Sequence, residues 1–126
     1  MKFRIDLDSD TPAYRQIVDA IRVLMVSDQL APGFELPSVR RMATDLGVHF
    51  NTVAEAYRML ASEGWIDLRH GKGATVLPRV VAEPSPQKVE EFRRRLEALA
   101  AEMLAHGASQ EKVGSDMLRA WIEYKS

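Results

Sequence analysis

Three histidines, eighteen carboxylates and seventeen cationic side chains are the groups with which this 126-residue chain could do chemistry. His49, His70 and His106 stand far apart, and no HExxH metal pair, GxSxG nucleophile elbow, Walker loop or GxGxxG turn accompanies them. Gly71-Lys72-Gly73 lacks the strand, loop and helix of a phosphate cradle. Cysteine is absent, which removes thiolate nucleophiles, thiolate zinc sites and disulfides together. The chain therefore names no catalytic residue, no metal ligand and no cofactor. What remains is recognition of anions by cations, and the cations are unevenly placed. The formal charge is −1, yet residues 36–79 hold six basic against four acidic side chains, while the flanking stretches are acidic on balance. Within that middle stretch Arg40 and Arg41 lie at a predicted helix start, and Arg69 and Lys72 on a predicted hairpin. Donors at such places can reach phosphates on both sides of an inserted helix.

The elements that would position these groups follow from period and punctuation. Thr11-Pro12 reads as an N-cap followed by proline at the first helical position. Tyr14, Ile17, Val18, Ile21, Leu24 and Met25 then recur at helical spacing, predicting a helix that ends near Leu30. Residues 31–37, with Ala31-Pro32-Gly33 and Leu36-Pro37, read as a linker. Ser38 is suited to cap a second helix whose apolar face is Val39, Met42, Ala43 and Leu46, and Gly47 to end it. After Val48 either His49 or, preferably, Asn51 caps a third helix facing inward with Val53, Ala56, Tyr57 and Leu60 and ending at Gly64. Trp65 to Leu68 and Ala74 to Leu77 are β-prone runs around Gly71-Lys72-Gly73, as in a hairpin whose tip needs positive φ. Two helices joined by a glycine turn are the helix-turn-helix plan, in which the second enters a DNA major groove.

These residues resemble a known family. Leu36-Pro37-Ser38-Val39-Arg40, Ala43, Leu46-Gly47-Val48, Asn51-Thr52-Val53, Ala56-Tyr57, Leu60, Glu63-Gly64-Trp65-Ile66 and Arg69-His70-Gly71-Lys72-Gly73 are similar to the winged-helix domain of GntR-family bacterial transcription regulators. The resemblance spans residues 9–78. It implies backbone contacts from Ser38 and Arg40, to which the charge pattern adds Arg41. It also implies a recognition helix read through His49, Asn51 and Thr52, and a wing at Arg69, His70, Gly71 and Lys72. The types suit those roles, since asparagine pairs bidentately with adenine and threonine reaches a phosphate or a thymine methyl. One departure stands out: many relatives carry arginine where this chain has Phe50 and Ala54, so their operators do not transfer to it.

Residues 79–88 read as a proline-containing linker, and residues 89–126 as two helices. Val89, Phe92, Leu96, Leu99 and Met103 alternate spacings of three and four, the seam of a helix that pairs with another. His106-Gly107 ends that helix, with the imidazole near its C-terminus, and Ser109 caps a last helix whose face is Val113, Met117, Ala120, Trp121 and Tyr124. Arg93-Arg94-Arg95 has Glu90, Glu91 and Glu97 within a turn and reads as a solvated ion-pair face. A tail this short resembles the YtrA-like branch of the family, whose two terminal helices serve for dimerisation.

The expected architecture is thus mostly α with a small β wing. A winged helix-turn-helix over residues 1–78 is followed by a C-terminal two-helix dimerisation hairpin. The expected protein is a cytoplasmic transcriptional regulator, in particular a repressor, binding double-stranded palindromic operator DNA as a homodimer. With 46% hydrophobic and 28% charged residues, no signal-peptide pattern and no run of about 18 apolar residues, a membrane partner is not expected. Two other readings stay open: a winged-helix protein-interaction module without DNA binding, and a repressor gated by a small-molecule effector in a pocket between the tail and the DNA-binding domain, to which Trp121 and Tyr124 point.

Overall fold

The computed structural model describes residues 2–69, 73–79 and 83–125, with side chains through 120. The expectations placed on His70, Gly71 and Lys72, and on the side chains of Trp121 and Tyr124, lie outside the described residues. The chain divides into two compact units, Met1–Arg79 and Val80–Ser126.

In the first unit, helix α1 (Ala13–Val26) buries Ile17, Val18, Ile21 and Met25, the spacing that one helical face requires. Its start differs from the expected one. Pro12, with ψ of 144°, occupies the cap position and no side chain caps the helix. Gln16 does the tying instead: its amide donates to the carbonyls of Asp6 and Thr11 at 2.8 and 2.9 Å and accepts from the Asp6 N–H at 2.7 Å. That clamp holds the segment whose Phe3 and Ile5 pack on the core. The end also comes four residues before Leu30. The Ser27 hydroxyl bonds the Val23 carbonyl at 2.8 Å and Asp28 turns left-handed at φ 61°, which stops the helix. Leu30 is buried from the turn rather than from the helix.

Helix α2 (Val39–Leu46) is capped as expected, the Ser38 hydroxyl accepting the Arg41 N–H at 3.1 Å. Gly47, at φ 72°, ends it, and the N–H groups of Gly47 and Val48 bond back to Thr44 and Ala43. This pattern satisfies carbonyls that a helix end leaves orphaned, and the left-handed backbone favours glycine there. Helix α3 (Phe50–Ser62) starts three residues beyond Gly47 and presents Val53, Ala56, Tyr57 and Leu60 to the core. Its cap is His49, not Asn51, because the His49 ring nitrogen reaches the Asn51 N–H and draws Asn51 into the first turn.

Strands β1 (Glu35–Leu36), β2 (Ile66–Leu68) and β3 (Ala74–Val76) form an antiparallel sheet in the order β1-β3-β2. Ile66 pairs with Val76, Leu68 with Ala74, and Glu35 with Thr75. The hairpin and the positive φ of Gly73, 78°, were legible, but residues 31–37 are not simply a linker. Glu35 and Leu36 make an edge strand too short to carry a period in sequence. Leu36, Ile66, Ala74 and Val76 join the helical side chains in one core, which contains no buried charged residue among those described.

The second unit consists of helix α4 (Pro86–Ala105) and helix α5 (Gln110–Lys125). α4 begins three residues before Val89, inside the stretch read as linker, because the Ser85 hydroxyl caps it through the Lys88 N–H and proline is tolerated in a first turn. Gly107, at φ 94°, follows its end, and Ser109 caps α5 by accepting the Lys112 N–H at 3.1 Å.

Tyr57 is the largest side chain of the core and its phenol donates to the Pro37 carbonyl at 2.7 Å. Burial pushes its pKa well above the usual tyrosine range, so the hydroxyl stays a donor. Tyr57→Phe is expected to lower the unfolding free energy by about 1 kcal/mol at neutral pH in a denaturant melt. The unfolded wild type ionises above about pH 10 while the folded one resists, so wild-type stability falls there and the gap to Tyr57→Phe closes. A gap constant up to pH 11 would contradict the assignment.

Candidate nucleic-acid interface

The Tyr57 hydrogen bond reaches from the middle of α3 to the residue before the Ser38 cap, and so fixes where α2 starts relative to α3. The starts of these helices carry six of the ten residues expected to contact DNA: Ser38, Arg40, Arg41, His49, Asn51 and Thr52. Helix N-termini present unpaired N–H groups and the positive end of the helix dipole, a setting that favours anions.

On α2, the Ser38 oxygen is engaged as a cap acceptor, which leaves its hydroxyl proton for an outside oxygen. Arg40 is exposed and its guanidinium carbon stands 5.9 Å from the centre of the Phe50 ring, which brings the first turns of α2 and α3 into contact. Arg41 is placed differently. Its Nε lies 3.8 Å from Asp45, one turn along, and both line a cleft of about 800 Å³ that Phe3, Phe34, Met42 and Leu46 also border.

On α3, the Nδ1 atom of His49 accepts the Asn51 N–H at 3.1 Å. An accepting Nδ1 puts the proton of the neutral ring on Nε2, which then serves as an outward donor. The imidazole stacks on Phe50 with centroids 4.8 Å apart and planes 27° from parallel. Asn51 is exposed and its amide is not spent on capping, so both its donor and its acceptor remain for a base edge. Thr52 is half-buried and its N–H bonds the His49 carbonyl at 3.0 Å. Arg69, just past β2, is exposed with its Nε 3.1 Å from Asp67. The pairs made by Arg41 and Arg69 are solvent-exposed and each is worth under about 1 kcal/mol, so a phosphate can replace either carboxylate.

Sequence reasoning missed three parts of this surface. Phe50 entered it only as a departure from relatives, although an apolar side chain outside the inward face of α3 is itself a signal. Asp45, four residues after Arg41 on one helix, and Asp67, on β2 two residues before Arg69, were readable as partners from spacing. Tyr57 was read as core alone, although a buried phenol needs a hydrogen-bond partner.

In the second unit, Val89, Phe92, Leu96 and Leu99 form a row along α4 and are between 42 and 56% exposed, with Met103 half-buried. Beside this row Arg93 pairs with Glu90 and Glu97 and Arg94 with Glu90, as expected, while Lys88, which was not singled out, pairs with Glu91. On α5, Val113 is already buried within the single chain, Met117 is half-buried, and Leu118 is exposed. No helix among the described residues is long and apolar enough to cross a membrane.

The family model described as bacterial regulatory proteins, gntR family, matches residues 13–76. Over 120 residues the chain is 32% identical to the HTH-type transcriptional repressor YtrA of Bacillus subtilis, an alignment spanning 95% of this chain and 88% of that protein. A crystal structure of a transcriptional antiterminator from Listeria monocytogenes EGD-e superposes with a TM-score of 0.80 at 28% identity, covering 100% of this chain and 94% of the other. YtrA from Sulfolobus acidocaldarius, a GntR-family transcription factor, gives a TM-score of 0.58 at 34% identity over 98% of this chain and 100% of that one.

The cap geometry yields a test. His49→Ala is expected to cost about 1 kcal/mol in thermal or denaturant unfolding, and His49→Asn, which supplies another cap acceptor, to recover most of it. Equal losses in both variants would show that the His49 ring does not cap α3.

Proposed function

Since this chain belongs to the GntR family of bacterial regulatory proteins, in its YtrA-like branch, and is a sequence-specific DNA-binding transcriptional regulator, we propose that it is a homodimeric repressor that reads a two-fold symmetric operator through α3. The observation that carries this reading is the pairing of two exposed helix N-termini, with Arg40 of α2 against Phe50 of α3 and Asn51 beside it. In this arrangement the first turn of α3 enters the major groove and Asn51 pairs with a base edge, adenine being its best match. Ser38 and Arg40 hold one phosphate strand, with Arg41 exchanging Asp45 for a phosphate. Thr52 and the Nε2 donor of His49 add contacts at the groove wall, and Arg69, His70, Gly71 and Lys72 are assigned to backbone or minor groove.

Dimerisation is supported by the uncovered row on α4, since a second copy of the same seam would bury Val89, Phe92, Leu96, Leu99 and Met103 against itself, with Met117, Trp121 and Tyr124 of α5 assigned beside it; Val113, already buried within one chain, has no surface left to give a partner. Two DNA-binding units related by a two-fold axis call for a palindromic site. Bound across a promoter, such a dimer represses by excluding polymerase, in keeping with the repressor activity named for the Bacillus subtilis relative.

The roles separate by mutation. Arg40→Ala is expected to weaken binding to selected and random duplexes alike and to flatten the salt dependence by about one unit of slope per protomer. Asn51→Ala is expected to cost about 1–3 kcal/mol on the selected duplex and little on random DNA. Equal losses on both duplexes for Asn51→Ala would refute its role as a base reader. Leu96→Glu combined with Leu99→Glu is expected to halve the mass in light scattering while circular dichroism keeps its helical signal. A persistent dimer would remove α4 from the interface.

A further inference from the structure

Resting on the reading that α3 enters the major groove, we infer that Phe50 is a specificity-determining residue that contacts the 5-methyl group of a thymine beside the base read by Asn51. Phe50 is the first residue of α3, is 46% exposed and takes no part in the hydrophobic core, so packing does not explain its apolar ring. The ring is nevertheless held in place. His49, locked by its cap bond to the Asn51 N–H, stacks on it at 4.8 Å, and the Arg40 guanidinium lies within 5.9 Å of its centre. A ring fixed in this way loses little side-chain freedom on binding, while the surface left open is apolar and borders two groups assigned to DNA.

A phenylalanine has no hydrogen bond to offer guanine, cytosine or adenine. In the major groove the apolar feature that distinguishes one base pair from the others is the thymine methyl group. Covering one methyl group is worth about fourfold in affinity, so the contact sharpens a preference rather than creating the whole site. Arg40 gives the same arrangement a second use. With its guanidinium over the ring and its donors toward a phosphate, it ties the position of the backbone to that of the methyl-contacting ring, so that Phe50 acts both as a reader and as a spacer between reader and clamp.

The experiment uses the full chain. A duplex is selected from a random library by the wild-type protein, and each of its thymines is then replaced in turn by deoxyuridine, which deletes the methyl group and leaves the pairing edge intact. Binding of wild type, Phe50→Ala, Phe50→Leu and Asn51→Ala is measured by anisotropy, with circular dichroism as the check on folding. The expected result is at least one thymine, adjacent to the position relaxed by Asn51→Ala, whose replacement weakens the wild type about fourfold in each half-site, weakens Phe50→Leu less, and leaves Phe50→Ala unchanged. A structural role alone would lower affinity in Phe50→Ala without erasing this dependence on the methyl group. If Asn51→Ala relaxes a base position but every thymine tolerates deoxyuridine, or Phe50→Ala keeps the wild-type loss, the inference on Phe50 is overturned while the recognition helix stands. If neither Phe50→Ala nor Asn51→Ala alters base preference, the placement of α3 in the groove is overturned, and the inference with it.

Discussion

A single hydrogen bond, 2.7 Å long, runs from the buried phenol of Tyr57 to the carbonyl of Pro37, and the geometry of the surface formed by the first turns of α2 and α3 depends on it. Proline supplies no N–H of its own and restricts the residue before it, so the chain from Leu36 to Ser38 is stiff. Anchoring its carbonyl to α3 decides where α2 can begin, and the Ser38 cap then turns that point into a helix start. The same tyrosine is a wall of the hydrophobic core, which locks its hydroxyl in position and keeps it protonated. Packing and polar positioning thus meet in one side chain. The left-handed turn at Gly47 ends α2 and lets α3 begin three residues later, with Ala56 buried in the same core.

What this frame presents is a set of weakly committed polar groups. Arg41 and Arg69 each rest against an exposed carboxylate, and Arg40 rests against an aromatic ring. Such partners hold long side chains near one orientation at small cost and give way to a phosphate, whose charge and bidentate geometry suit a guanidinium better. The capping role of His49 works in the same direction. By taking over the Asn51 N–H it leaves the asparagine amide outside the cap network, and it fixes its own proton on the outward nitrogen. A chain that is slightly acidic overall can therefore bind a polyanion, because its cations are gathered where two helix dipoles also point.

Much of this was legible in the sequence, for identifiable reasons. Ser38, Gly47 and Ser109 were readable as caps because the chemistry of a helix end is local, and the buried faces of α1 and α3 because their period repeats over three turns or more. Three features were hidden by their long range or short length. The two-residue strand β1 is defined only by its pairing with β3, some forty residues away, and carries no pattern of its own. The choice between His49 and Asn51 as cap turned on which ring or amide reaches back, and the aromatic stack on Phe50 favours histidine. The early stop of α1 depends on a serine hydroxyl competing for a backbone carbonyl, a contest that composition does not decide. In the second unit, charge spacing gave the ion-paired side of α4 and heptad spacing gave its exposed apolar row, since both lie within one helix.

Two joined helix N-termini, brought together as a dimer, are proposed to read a specific DNA sequence. The most direct test is fluorescence anisotropy of the purified protein on the DNA upstream of its own gene and on a shuffled duplex, at two salt concentrations, with mass measured in parallel. The expected result is tight binding by a dimer to the upstream DNA, weaker binding to the shuffled duplex, and a loss of affinity on both as salt rises. Binding that ignores both sequence and salt, or binding by a monomer with undiminished affinity, would contradict it.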